Sequence, residues 1–146
     1  MLEFEIFNRT RRSVSQKIFF VPLKNAEKIL SQNKKIKSQR KYRFELTFVG
    51  DAQMTRLNEE YHHKKRPTDV ISLSYFEPKM KDSFIGEIFI CLPYALRQAK
   101  QIGQTLQAEL KFLFIHGLLH LFGYDHKRPQ EEKQMLSLTY RILQRD

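Results

Sequence analysis

One cysteine, Cys91, is all the sulfhydryl chemistry that this chain of 146 residues has. A lone thiol makes no intrachain disulfide and no thiolate metal cluster, as expected in a reducing compartment. It lies in the apolar run Ile88-Phe89-Ile90-Cys91 and reads as a small buried hydrophobe. Long uncharged runs are also lacking: none approaches the roughly 18 to 20 residues that cross a bilayer. The first twelve residues, MLEFEIFNRTRR, place their charges after a short alternating stretch, whereas a secretory signal places them before an apolar core. A cytoplasmic protein without membrane or disulfide-linked partners is expected. Acidic residues are few, 16 against 26 Lys and Arg, for a formal charge of +10. That imbalance favours polyanions, nucleic acid first, although a merely solvated basic surface has the same composition. Internal repeats are absent. What is present is apolar mass, 41% of residues with twelve Phe, enough for one core and one domain over residues 1–146.

Leu2 to Phe7 alternates apolar and acidic residues with the period of a half-buried strand. A helix follows from Pro22 to about Leu30, then an exposed basic connector with six Lys or Arg between Asn33 and Arg43, then a strand over 42–49. Asp51 is placed to cap a helix that runs through Tyr61. Residues 70–75 and 84–91 read as strands around a loop at 77–83, followed by a helix over 93–102. Thr105 to Phe122 carries apolar residues too widely spread for a surface helix and should be the buried central one. Gly123 can stop it, and Pro129 can start a last helix that ends near Leu143. Strands and helices mix without strict alternation, which predicts an α+β domain.

His116 and His120 stand four residues apart, one turn along a single helix face, where both imidazoles reach one ion. The turn at Gly123 returns His126 as a third ligand. By the chain's own composition the pattern H-x-x-x-H-x-x-G-x-x-H arises by chance in on the order of two chains per ten thousand. Three imidazoles and one open position suit a single catalytic Zn²⁺ per chain. In zinc peptidases of this spacing a Glu follows the first histidine as general base. Here the residue is Gly117, so peptide hydrolysis lacks its proton acceptor.

The segment His116 to His126, HGLLHLFGYDH, resembles the signature of the bacterial YbeY family of metal-dependent, single-strand endoribonucleases. The likeness extends to Leu57-Asn58, to Tyr61, to Arg66-Pro67-Thr68-Asp69-Val70-Ile71-Ser72 and to Gly86-Glu87-Ile88-Phe89-Ile90-Cys91, in matching order over most of the chain. It implies a small four-stranded mixed sheet packed with about five or six helices, and a metal at His116, His120 and His126 on the central helix and the following turn. It also implies ribosomal RNA as substrate, the small ribosomal subunit as partner, and work in small-subunit 3′-end maturation and ribosome quality control. Two positions depart from the family pattern. His62 stands where members carry an Arg assigned to the phosphate, and Leu73 replaces the Phe of a Leu-Ser-Phe segment.

His62 is therefore the candidate catalytic side chain, with Lys64 as the neighbour able to substitute. Lys64, Arg66, Lys127 and Arg128 flank the motifs and are the candidate RNA contacts. Asp125 could orient a ligand or merely form the turn, Glu109 could pair with a basic neighbour, and Thr68 and Ser72 could contact phosphate or close the turn after Pro67. Two other functions compete with the endoribonuclease: a non-catalytic ribosome-assembly factor with a structural zinc, and a peptidase-like zinc hydrolase, the latter disfavoured by Gly117.

Overall fold

The computed structural model describes residues 1–37 and 39–144. Its single sheet has the order β1-β2-β4-β3. β1 (Leu2–Asn8), β2 (Tyr42–Val49) and β4 (Phe84–Cys91) are parallel, and β3 (Val70–Ser74) pairs antiparallel with β4. Five α-helices are present among the described residues: α1 (Phe20–Leu30), α2 (Asp51–His62), α3 (Leu92–Ile102), α4 (Leu106–Leu121) and α5 (Pro129–Gln144). The α+β class, the four-stranded mixed sheet and the number of helices are as expected from the sequence.

β4 is a central strand whose run FIGEIFIC fills both faces of the sheet, as interior strands do. Successive side chains alternate sides. Ile88 and Ile90 join the main core beneath α4, while Phe89 and Cys91 face a second cluster with Met54 of α2 and Ile71 of β3. Phe4, Phe19, Phe44 and Phe114 stitch sheet to helix, with ring centroids 4.6–6.3 Å apart in contacting pairs. Leu110, Leu113, Phe114, Ile115, Leu118 and Leu119 of α4 are all 2% exposed or less, the all-round burial that their spread about the axis predicts.

Three local expectations need revision. α1 starts at Phe20 after a 3-10 turn over Gln16–Phe19, because Pro22 in the first turn gives up only an amide that has no helical partner. Asp51 does not cap α2. It is the first helical residue, and its carboxylate receives both terminal nitrogens of Arg97 at 3.0 and 2.8 Å and the Cys91 thiol at 3.4 Å. The Arg97 hydrogen bonds hold Asp51 below the usual carboxylate range, and burial pushes the Cys91 thiol up to about 11. Glu109, 2% exposed, accepts from the side-chain amides of Gln98 and Gln104 rather than from a cation. Two neutral donors satisfy its oxygens without burying a second charge.

Candidate metal centre

α4 begins at Thr105, whose hydroxyl accepts from the Ala108 amide at 3.1 Å. It ends where Gly123 takes a φ of 93°, its amide donating to the His120 carbonyl and that of Tyr124 to the Leu119 carbonyl, both at 3.0 Å. The left-handed residue reverses the chain. Asp125 then accepts from the His126 amide at 2.7 Å, which is the turn role expected of it, and fixes the backbone that carries the third imidazole.

His116, His120 and His126 come together as the spacing predicts. Each offers one nitrogen within 4.8 Å of the other two, and Nδ1 of His126 lies 3.1 Å from Nε2 of His120. Tetrahedral coordination at about 2.0–2.1 Å separates donor nitrogens by about 3.3 Å, close to the spacing that His120 and His126 already have. Nδ1 of His116 is buried without a hydrogen-bond partner among the described residues. A buried polar atom left unpaired costs about 1–3 kcal/mol, and a cation taken up through that nitrogen would repay it. The residues fit a divalent metal.

Burial, reinforced by the other two histidines, pushes His116 down to about 4, and burial also lowers His120. Both rings are thus neutral ligands at pH 7 before any ion arrives. The same shift sets a stability trend for the metal-free protein. The unfolded chain takes up a proton at His116 near pH 6.5 and the folded chain only near 4, so stability is full above 6.5 and declines as pH falls from 6.5 to 4. At about 1.4 kcal/mol per pH unit the loss approaches 3 kcal/mol. Urea unfolding of metal-free protein at pH 7 and at pH 4.5 measures it, and His116→Phe should flatten the difference.

The histidines floor an open groove of about 1080 Å³, at the upper end of ordinary small-ligand pockets. β3 and the segment before it form one wall and the C-terminal end of α2 its rim, placing His62, Lys64, Arg66 and Thr68 beside the triad. Asn58, 3% exposed, donates to the Arg66 carbonyl at 2.9 Å and ties that rim to α2. Lys127 and Arg128 lie outside the lining, 85% and 83% exposed, with Asp125 at 3.8 Å and Glu131 at 3.7 Å as their nearest ionic neighbours. Ser72 spends its hydroxyl on the Gly117 carbonyl at 3.1 Å, closing β3 onto α4. Of the three lining aromatics, Tyr124 lies inside the His116–His126 signature, while Tyr94 and Phe112 are not apparent from motifs. Phe112 sits four residues before His116 and stacks on it at 5.5 Å, a same-face spacing that would have disclosed it.

Gly117 is packed against the sheet. A Cβ there would lie 2.9 Å from Cγ2 of Ile88 and 3.1 Å from Oγ of Ser72. The position that bears the peptidase base thus has no room for a glutamate.

The family model described as Endoribonuclease YbeY matches residues 8–145. The chain belongs to that family. An Endoribonuclease YbeY of Ureaplasma urealyticum is 34% identical over 142 residues, covering 97% of this chain and 90% of its own. Another, of Streptococcus agalactiae, is 40% identical over 119 residues, covering 67% and 72%. A solution structure of a Thermotoga maritima protein shares the fold at a TM-score of 0.60 and 22% identity, covering 97% of this chain and 89% of that one. YbeY endoribonucleases are nucleases, hence hydrolases, and the class agrees with a groove that holds no peptidase base. No described helix of this YbeY chain is long and apolar enough to cross a membrane.

Proposed function

We propose that this chain is a metal-dependent endoribonuclease of the cytoplasm that binds one Zn²⁺ through His116, His120 and His126 and cleaves single-stranded segments of ribosomal RNA. Its place would be small-subunit 3′-end maturation and ribosome quality control, with the small ribosomal subunit as partner. The observation that carries the reading is the convergence of three imidazole nitrogens within 4.8 Å on the floor of a groove rimmed by Lys64 and Arg66. A divalent ion held there supplies Lewis acidity toward a phosphoryl oxygen and acidifies water to a pKa near 7.

The protein's part is positioning. Lys64 and Arg66 approach the strand from the α2 rim and hold its phosphates, Arg66 with its planar fork and Lys64 as a point charge. The Thr68 hydroxyl, which donates to the Asp69 carboxylate at 3.4 Å, would exchange that long bond for one to a phosphate oxygen. Phe112 and Tyr94 give the groove aromatic faces on which unpaired bases can stack, which a duplex cannot offer. Lys127 and Arg128 extend the phosphate contacts beyond the groove. Incubating metal-loaded and metal-free protein with single-stranded and with fully paired RNA tests the reading. Cleavage confined to the loaded protein and the unpaired RNA is the expected result, and equal cutting by both forms would overturn it.

His62 lines the same groove as the triad and takes the position of the phosphate-binding Arg. An imidazole offers two divergent donors and carries charge only when protonated, whereas a guanidinium is always charged and binds with two parallel donors. His62→Arg should accelerate cleavage at pH 7.5 by on the order of tenfold, a gain of about 1.4 kcal/mol in the transition state. His62→Ala should slow it. Parent-like rates for both variants from pH 5.5 to 8 would remove His62 from the mechanism.

A further inference from the structure

The surplus of positive charge is not in the groove. Its lining holds two Lys or Arg, Lys64 and Arg66, against two carboxylates, Asp69 and Asp125. Residues 9–43 contain twelve of the 26 Lys and Arg but one of the 16 Asp and Glu, leaving fourteen cations against fifteen anions for the rest of the chain. The one anion, Glu27, spends an oxygen on the Leu2 amide at 2.8 Å. The whole formal charge of +10 is therefore carried by the loop after β1, by α1 and by the connector that follows.

These cations are available. Arg9, Arg11 and Arg12 in the loop, Lys17, Lys24 and Lys28 on and before α1, and Lys34, Lys35 and Lys37 beyond it are exposed. Among the described residues none of these nine has a carboxylate within ion-pair distance. Lys24 and Lys28 are one turn apart on one face of α1, so they form a row rather than a scatter. Phe20 and Val21, 47% and 54% exposed, stand on the same helix.

The row is joined to the groove. Asn33, between α1 and Lys34, donates from Nδ2 to the Tyr124 hydroxyl at 3.0 Å, and Tyr124 lines the groove beside His126. Lys34 and Lys35 follow Asn33 directly in the chain, so the connector after α1 is anchored at the Tyr124 side of the groove. We propose that the exposed cations of α1 and its connector form a second RNA site, which holds the phosphate backbone of the segment flanking the strand in the groove. This rests on the endoribonuclease reading and adds to it a handle for RNA larger than the cleaved segment. Unpaired lysines on a helix face suit regularly spaced phosphates of any sequence, and each phosphate neutralised releases counterions.

The test uses full-length Lys24→Gln/Lys28→Gln/Lys34→Gln/Lys35→Gln protein and two RNAs: a short single strand that fills only the groove, and the same strand extended by a stem. Binding is measured in a His120→Ala background so that nothing is cut. The extended RNA should bind the quadruple variant more weakly by on the order of tenfold or more at about 0.1 M salt. The slope of log affinity against log salt should become shallower by about 3 when four phosphates are no longer neutralised. Cleavage of the short strand by metal-loaded quadruple variant with His120 intact should match the parent. An unchanged slope on the extended RNA would overturn the proposal. So would equal losses on both RNAs, or quadruple-sensitive binding to phosphatidylserine vesicles with RNA binding intact. If instead the loaded parent leaves the short strand uncut, the endoribonuclease reading fails while the slope still reports on the basic face.

Discussion

His120→Ala is expected to abolish metal binding and RNA cleavage together, with the cleavage rate falling by on the order of 10³-fold or more. His120 sits at the centre of the triad, its ring 5.0 Å from that of His116 and 4.8 Å from that of His126. Its loss leaves two imidazoles 6.0 Å apart, too few ligands for a site that must also keep an open position. Elemental analysis and single-turnover cleavage give the two readouts. Stoichiometric zinc with parental cleavage would remove the triad from the mechanism. His116→Phe should inactivate equally but with the opposite effect on the metal-free fold. It replaces a half-buried ring, whose Nδ1 is buried and unpaired among the described residues, by one that keeps the stack on Phe112, so metal-free protein should gain about 1–3 kcal/mol at pH 5. On the proposed metal-binding reading, the unpaired nitrogen is a cost that the site imposes on the fold.

Local rules were enough where the signal was local. The period of Leu2–Asn8, the unbroken apolar run Phe84–Cys91 and the all-round hydrophobicity of α4 each set an element to within a residue or two. The triad was equally legible, because His116 and His120 share a helix face whatever the tertiary context and Gly123 supplies the reversal that returns His126. Asp51 misled because an N-terminal Asp is a good cap only if nothing better competes. Arg97, distant in sequence, brings two charged donors to the same carboxylate. Glu109 misled similarly, since its partners Gln98 and Gln104 converge on it only after α3 packs beside α4. The division of charge was visible in the sequence, but its meaning was not. Only the fold shows that, among the described residues, Lys64 and Arg66 are the Lys and Arg that line the groove, while the surplus lies in the loop after β1, in α1 and in the connector that follows.

Gly86→Ala should be among the most destabilising single-methyl substitutions in the chain, with a loss of about 3–5 kcal/mol. Gly86 has a φ of 150°, a conformation that L side chains rarely adopt, at the point where the pairing of β2 with β4 shifts register. A Cβ there would stand 2.2 Å from the Leu73 carbonyl oxygen and 2.7 Å from Cδ2 of Leu121. Neither neighbour can yield cheaply. Leu73 is backbone of β3, which walls the groove, and the fully buried Leu121 follows His120 at the end of α4. Relief requires β3 to leave β4 or the end of α4 to lift, and either movement displaces the histidine triad as well as the core. Against a total stability of about 5–15 kcal/mol, the variant should lose a large part of its urea midpoint with an unchanged slope. Gly103→Ala is the control, with a left-handed φ of 73° but nothing within 4 Å of the added methyl. It should cost only the about 1–2 kcal/mol of the backbone conformation. Equal midpoints for the two variants would mean that the contacts with Leu73 and Leu121 relax freely and that the β3–β4–α4 junction is not the rigid support of the groove.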